Sequence, residues 1–267
     1  MAPLWKLCAN GKVTEVKAAL AKGADVNGRN GGNETALMST AGQVVCQCHG
    51  GCQEVILKLL LEQPSIKVNL VDMEGCTALH YAASEGHRNA VALLIADLPT
   101  WAEVVDGELT ALMWSVMSSN FEAAKLLLDN PRVDVSWKNS LGLSALHMAF
   151  SPPASGRKNS MKVLQLLLAH PRVDVNYKDL PGMTNALHVA AGFCTVEAVK
   201  LILAEARFTS ANALAEIEEF GKAGRISALG VAAAKGKCEI FKELVLHPSI
   251  DLDVKNEEGL DVDDWVK

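Results

Sequence analysis

Aromatic residues are scarce in this 267-residue chain, at 5%. A core of ordinary size must then be built from aliphatic side chains. No apolar run reaches the ~18 residues that a membrane-spanning helix needs. The first residues, MAPLWKLCANGK, hold no basic segment followed by an apolar stretch, so no secretory leader is visible. Basic charge is in deficit. The formal charge of −6 disfavours nucleic acid, because a phosphate backbone selects a basic face. There is no disulfide framework either. Seven cysteines, an odd number, are scattered over a long chain. Reduced thiols of the cytoplasm or nucleus fit that pattern best. With 49% hydrophobic and 21% charged residues, a disordered chain is excluded. Length alone predicts one or two domains, unless the chain repeats itself.

It does repeat itself. TALMSTA (35–41), TALHYAA (77–83), TALMWSV (110–116), SALHMAF (144–150), NALHVAA (185–191) and SALGVAA (227–233) are one pattern, and PLWKLCA (3–9) is a degenerate copy. The anchoring leucines are Leu4, Leu37, Leu79, Leu112, Leu146, Leu187 and Leu229. Their spacing implies a period of about 33 residues, lengthened in three repeats. A second apolar segment follows each anchor, as in ILKLLL (56–61) and AKLLL (124–128). Apolar residues at three- and four-residue spacing predict two short amphipathic helices per unit. The connections are rich in Gly, Asn, Asp and Pro, which supply turn dihedrals and local hydrogen bonds. One pair of helices cannot bury its own apolar face, so neighbours must stack.

GCTALHYAASEGH (75–87) and GADVN (23–27) carry a family likeness: the chain resembles the ankyrin repeat family, with Ala78 where proline is usual. The resemblance implies an all-α fold. The expected architecture is an ankyrin-repeat solenoid of about seven helix-turn-helix repeats, joined by hairpin-like loops and closed by polar terminal caps. The whole of 1–267 is then a single domain. Its repeats fall at about 3–29, 30–71, 72–104, 105–138, 139–178, 179–204 and 222–256. Three stretches are extra. Two are loops, at about 42–50 and 151–158. The third lies at about 205–220, where an extra helix is expected at about 209–220, capped by Ser210 or Asn212, with Leu214, Ile217 and Phe220 at three-residue spacing. The last segment, 257–267, reads as a C-terminal cap sealed by Trp265.

No P-loop, dinucleotide fingerprint or Ser-His-Asp order is present. The chain is therefore expected to be no enzyme and to need no cofactor. His80, His147 and His188 recur in phase, so they serve the repeat, and the resemblance implies a hydrogen bond within each turn. His170 and His247 precede prolines at helix ends, where a cation suits the helix dipole. Cys46, Cys48, His49 and Cys52 lie close together in CQCHGGC. They offer zinc or redox chemistry as an alternative function, although the Cys-x-Cys spacing is tighter than zinc loops favour.

The resemblance implies binding of another protein on the concave face formed by hairpins and first helices. No nucleic acid or membrane partner is expected, and the chain is expected to be a monomer. Residues breaking the repeat pattern there are the candidates. Hairpin positions supply Leu70, Met73, Glu74, Trp137, Lys138, Tyr177 and Lys178. The position before each recurring Thr or Ser supplies Cys76, Leu109 and Leu143, with Met183 nearby. First-helix ends supply Met117 and Phe193. Trp137 and Tyr177 occupy consecutive hairpins and have the character of binding hot spots, unless they fold over onto neighbouring hairpins. Asn176, preceded by Leu168, resembles the site of ankyrin asparagine hydroxylation.

Overall fold

The computed structural model describes residues 2–43, 51–96, 109–150, 159–178, 184–217 and 224–255. They form two compact units, divided between Val135 and Ser136. The first holds four helix pairs: α1 (Leu4–Ala9) with α2 (Val13–Ala21), α3 (Ala36–Ala41) with α4 (Cys52–Leu61), α5 (Ala78–Glu85) with α6 (Arg88–Ala96), and α7 (Ala111–Met117) with α8 (Phe121–Asp129). The second holds three: α9 (Ala145–Met148) with α10 (Ser160–Ala169), α11 (Ala186–Phe193) with α12 (Val196–Ala204), and α13 (Ala228–Ala234) with α14 (Cys238–Leu246). Within each unit the first helices pack on one another in succession, and so do the second helices.

Each first helix starts where the recurring Thr, Ser or Asn caps it. The Thr35, Thr110 and Ser227 hydroxyls accept from the backbone N–H three residues on, at 3.3, 3.2 and 3.3 Å. This satisfies an N–H that the helix leaves unpaired. Where histidine stands at the third position, it answers in kind. The Thr77 N–H donates to His80 Nδ1 at 3.0 Å. The His188 ring continues across the repeat boundary, its Nε2 lying 3.2 Å from the Ile226 carbonyl. Met38 substitutes for this histidine through sulfur, taking the Thr35 N–H at 3.3 Å.

Alanine at the interior of the first helices allows close approach. Ala82, Ala83, Ala190, Ala191 and Ala232 are fully buried. Leu127, Leu128, Leu167 and Leu168 fill the layer beneath. The core departs from purely aliphatic packing at Phe150, which is 1% exposed.

The ends of first helices are closed by the following repeat. His87 Nδ1 lies 2.8 Å from the Ala41 carbonyl, and Asn120 Nδ2 donates to the Ala83 and Ser84 carbonyls at 2.9 and 2.6 Å. These are carbonyls that a helix cannot pair internally.

Asparagine clamps connect one hairpin to the next. Asn27 Nδ2 donates to the Ser65 carbonyl at 2.8 Å, and its Oδ1 accepts from the Lys67 N–H at 2.8 Å. Asn176 does the same with Arg207 and Thr209, at 2.6 and 2.7 Å. Asn212 repeats it with Ser249 and Asp251, at 2.9 and 2.8 Å.

That last clamp corrects the expectation of an extra helix at 209–220. Leu214–Ile217 is a strand, β1, paired antiparallel with β2 (Gly224–Ser227). Its register sets Leu214 opposite Ser227 and Ala215 opposite Ile226. Ala215 and Ile226 are buried, while Glu216 and Arg225 form an ion pair at 3.2 Å on the exposed side. The period is two, and the three-residue spacing of Leu214 and Ile217 misleads. Elsewhere the same pairing shrinks to one bridge, Arg29 with Thr35 and Lys138 with Ser144. In all three hairpins the N-cap residue of the next first helix pairs with a residue shortly after the Asn or Ser of the clamp position. The extra residues therefore lengthen a hairpin tip. Residues 44–50 and 151–158, within the expected loops, Phe220 and the expected cap at 257–267 with Trp265 lie outside the described residues.

Candidate protein-binding face

The short hairpin tips are built around one side chain each. Asn30 Oδ1 accepts from the Gly32 and Glu34 N–H groups, both at 2.9 Å. Asp72 Oδ1 does so from Glu74 and Cys76, both at 2.9 Å. Asn139 Oδ1 does so from Leu141 and Leu143, at 3.1 and 2.8 Å. The residue between the two donors' positions is left-handed: Asn33 at φ 62°, Gly75 at 76° and Gly142 at 74°. These rigid tips expose whatever stands at their outer positions.

In the first unit, Met73 is 71% exposed and Glu74 is exposed beside it. Leu70, Cys76, Leu109 and Met117 are half-buried. Asp72 also accepts from the Tyr81 hydroxyl at 2.6 Å, with Glu34 Oε1 3.5 Å from the same hydroxyl. Burial, then the charge of Asp72 and Glu34, pushes the Tyr81 phenol above its ordinary range. Burial pulls His80 down to about 4, against the Leu109 backbone and the Asp72 charge, which act the other way. His80 is therefore neutral, consistent with Nδ1 acting as an acceptor.

In the second unit, Trp137, Leu143, Tyr177 and Lys178 are half-buried and Lys138 is exposed. The Lys138 ammonium sits 3.6 Å from the centre of the Tyr177 ring. His147 stands perpendicular to the same ring, with centroids 5.7 Å apart. Tyr177 thus joins two successive repeats through a cation–π contact and an edge contact. Trp137 Nε1 is buried and has no hydrogen-bond partner among the described residues. At the far end of the first helices, Phe193 is 53% exposed, with the Lys235 ammonium 5.3 Å from its ring centre. Met183 lies outside the described residues.

Sequence reasoning missed Leu141, 56% exposed on a hairpin tip. Its signal is its place two residues after the tip-building Asn139. It missed Arg207 as well, whose guanidinium donates to the Leu168, His170 and Val173 carbonyls at the end of α10. Arg207 is the cation that serves this helix end. His170 and His247 instead accept backbone N–H bonds at Nδ1 from Arg172 and Ser249, at 3.4 and 3.3 Å.

Cys46, Cys48 and His49 lie outside the described residues, and Cys52 is the half-buried first residue of α4. Among the described residues no three His, Cys, Asp or Glu side chains are grouped to hold a metal. Burial pushes the Cys8 thiol up to about 12 and the Cys194 thiol up to about 11, opposed by a Thr40 hydrogen bond and the Lys237 charge respectively. Both are poor nucleophiles. Asn176 is half-buried, with both ends of its amide engaged.

A family model for ankyrin repeats in three copies matches residues 4–100, and the model for a single ankyrin repeat matches 141–180. The chain belongs to the ankyrin repeat family. A solved structure of the ankyrin repeat protein EF0377 superposes with a TM-score of 0.63 at 20% identity, covering 75% of this chain and 96% of that one. Ankyrin repeats make this chain a protein–protein interaction module. Three relatives are named as ligases. The probable E3 ubiquitin-protein ligase XBOS33 of Oryza sativa subsp. japonica is 34% identical over 161 residues, 55% of this chain and 28% of that protein. The E3 ubiquitin-protein ligase XBAT33 of Arabidopsis thaliana is 33% identical over 155 residues, 48% of this chain and 28% of that protein. The probable ligase XBOS32 of rice is 31% identical, covering 55% and 27%. This chain spans little more than a quarter of the length of these relatives. They overturn the expectation that it is no enzyme, because all three carry the name of an enzyme family.

No helix among the described residues is long and apolar enough to cross a membrane.

Proposed function

We propose that this chain holds a protein substrate for ubiquitin transfer, using the hairpin tips and first-helix face of its repeats. The observation that carries this reading is the 34% identity of the repeat region to a probable ubiquitin ligase. A ligase must keep a substrate lysine beside activated ubiquitin, and a rigid face gains effective concentration without a large ordering entropy. The residues of this face are Leu70, Met73, Glu74, Cys76, Leu109 and Met117 in the first unit. In the second they are Trp137, Lys138, Leu143, Tyr177, Lys178 and Phe193. The tips at 30–34, 72–76 and 139–143 are each preordered by their own Asn or Asp.

The test measures ubiquitin remnants on lysines across the proteome of the source cell, with wild-type protein and with Trp137→Ala/Tyr177→Ala. The expected result is that the proteins losing co-purification also lose their ubiquitin remnants. Lost co-purification with unchanged remnants would remove ubiquitin transfer from the reading. Unchanged co-purification would remove the face itself.

A further inference from the structure

We propose that Asn30 is a self-modifying site, whose side-chain amide is lost by cyclisation onto the Gly31 nitrogen. Every group that promotes the reaction belongs to one hairpin tip, so it proceeds whatever partner the repeats bind. Three Asn-Gly pairs occur in the chain: Asn10–Gly11, Asn27–Gly28 and Asn30–Gly31. Asn-Gly favours cyclisation because no Cβ hinders the nitrogen that follows the asparagine. Sequence alone ranks the three equally, whereas the fold separates them.

At the first pair the attacking nitrogen is engaged, since the Gly11 N–H donates to the Cys8 carbonyl at 3.0 Å. At the second pair both reacting groups are engaged. The Gly28 N–H donates to the Asp25 carbonyl at 3.2 Å, and the Asn27 amide is clamped to Ser65 and Lys67 of the next hairpin. At the third pair the Gly31 N–H has no partner among the described residues, and Gly31 is exposed. The Asn30 amide is held in a polarised state. Its Oδ1 accepts from the Gly32 and Glu34 N–H groups, both at 2.9 Å, and its Nδ2 donates to Glu34 Oε2 at 2.6 Å. Negative charge that builds on Oδ1 when Cγ is attacked therefore meets two fixed backbone donors, the arrangement of an oxyanion hole.

The reaction needs only water. The Gly31 nitrogen gives its proton to water and bonds to Asn30 Cγ. The Cγ–Nδ2 bond breaks, and Nδ2 takes up a proton and leaves as ammonia. Water then opens the five-membered imide at either carbonyl, leaving aspartate or isoaspartate. Asp72 shows what the first product does in such a setting, because it builds its own tip with the same two backbone bonds, from Glu74 and Cys76. The second product adds a methylene to the main chain. It does so inside a tip closed by the Asn30 N–H on the Glu34 carbonyl, at 2.9 Å, and the Asn33 N–H on the Asn30 carbonyl, at 3.1 Å. That disturbance reaches the next tip, where the N–H of exposed Met73 donates to the Gly32 carbonyl at 3.2 Å.

The experiment incubates the intact chain at neutral pH, folded and in concentrated urea, and follows each site by peptide mass spectrometry. Cleavage at Lys6, Lys12, Lys22 and Arg29 puts the three pairs in separate tryptic peptides. In the folded chain Asn30 should convert at least about fivefold faster than Asn10 or Asn27, with isoaspartate among the products. In urea the three should convert at similar rates. Gly31→Ala should slow conversion of Asn30 at least about tenfold, because a Cβ hinders the attacking nitrogen. It should leave the melting temperature unchanged, since that Cβ meets nothing within 4 Å and Gly31 has no positive φ. Conversion of Asn30 no faster than that of the other two in the folded chain overturns the proposal. Conversion that Gly31→Ala leaves unchanged, or that yields aspartate alone, overturns the route through the Gly31 nitrogen and the proposal with it.

Discussion

His80 illustrates how one side chain ties pH to stability. Its folded pKa is about 4, below the ordinary value of 6.5. The unfolded chain therefore takes up a proton between these values and the folded chain does not. The contribution is fully present above pH 6.5 and is lost as pH falls toward 4. One pKa unit corresponds to about 1.4 kcal/mol, so the loss is roughly 3 kcal/mol. Met38 holds the same position with sulfur as acceptor. His80→Met should therefore flatten this decline, measured by urea unfolding from pH 7 to pH 4. A decline as steep as wild type would assign it to other groups. Gly86 makes a second residue-level case. It is left-handed at φ 75°, and an added Cβ would lie 2.6 Å from Asn120 Oδ1. Gly86→Ala should then destabilise by about 3 kcal/mol, combining backbone strain with damage to the Asn120 bonds. Unfolding midpoints within error of wild type would contradict that account. Trp137 reverses the usual sign. Its buried Nε1 has no partner among the described residues, so Trp137→Phe removes an unsatisfied donor and should leave the melting temperature unchanged or raised. A clear drop in melting temperature would show that the indole bulk outweighs its orphan N–H.

At the scale of elements, the repeat pattern was legible because each piece of it is local. Thr-Ala-Leu-His encodes a cap, a small packing residue, an anchor and an acceptor within one turn, and the first helices begin where the pattern says. The hairpin of β1 and β2 was not legible. Its strands find each other across residues that the pattern does not cover, and Leu214 and Ile217 suit either a helix or a strand in isolation. The deciding contact is Asn212 to Ser249 and Asp251, which belongs to the next hairpin. The same hairpin explains Gly230, which stands where His188 and His147 stand in their repeats. Ile226 fills that space, and a Cβ at Gly230 would lie 2.4 Å from its Cγ1. Gly230→His, the change that the repeat pattern recommends, should destabilise by about 1–3 kcal/mol through overpacking. Thermal unfolding measures it, and a gain in stability would refute the packing account.

For the whole molecule, stacking confines each contact to neighbouring repeats. α5 packs on α3 and α7, whereas α13 packs on α11. Gly86→Ala and Gly230→His share no contacting element, so their effects should add to within about 0.5 kcal/mol. A larger coupling energy in the double-mutant cycle would show that the repeats communicate beyond their neighbours. The candidate face was half legible at this scale. Exposed Met73 and Phe193 and the stacked Lys138 and Tyr177 all stand where the pattern is broken. Lys235 was overlooked, because its significance lies in the ring of the preceding repeat.

The scarcity of aromatics acquires its meaning from both levels. By itself the sequence determined the repeat, its helix pairs and its caps, since a hydrophobic period and capping chemistry act over a few residues. Tertiary structure alone decided that the insertion after Asn212 is a hairpin and that the Trp137 N–H finds no partner among the described residues. It also decided that lysines rest on Tyr177 and Phe193. Each of these depends on atoms brought together from different repeats, and no local propensity encodes that meeting.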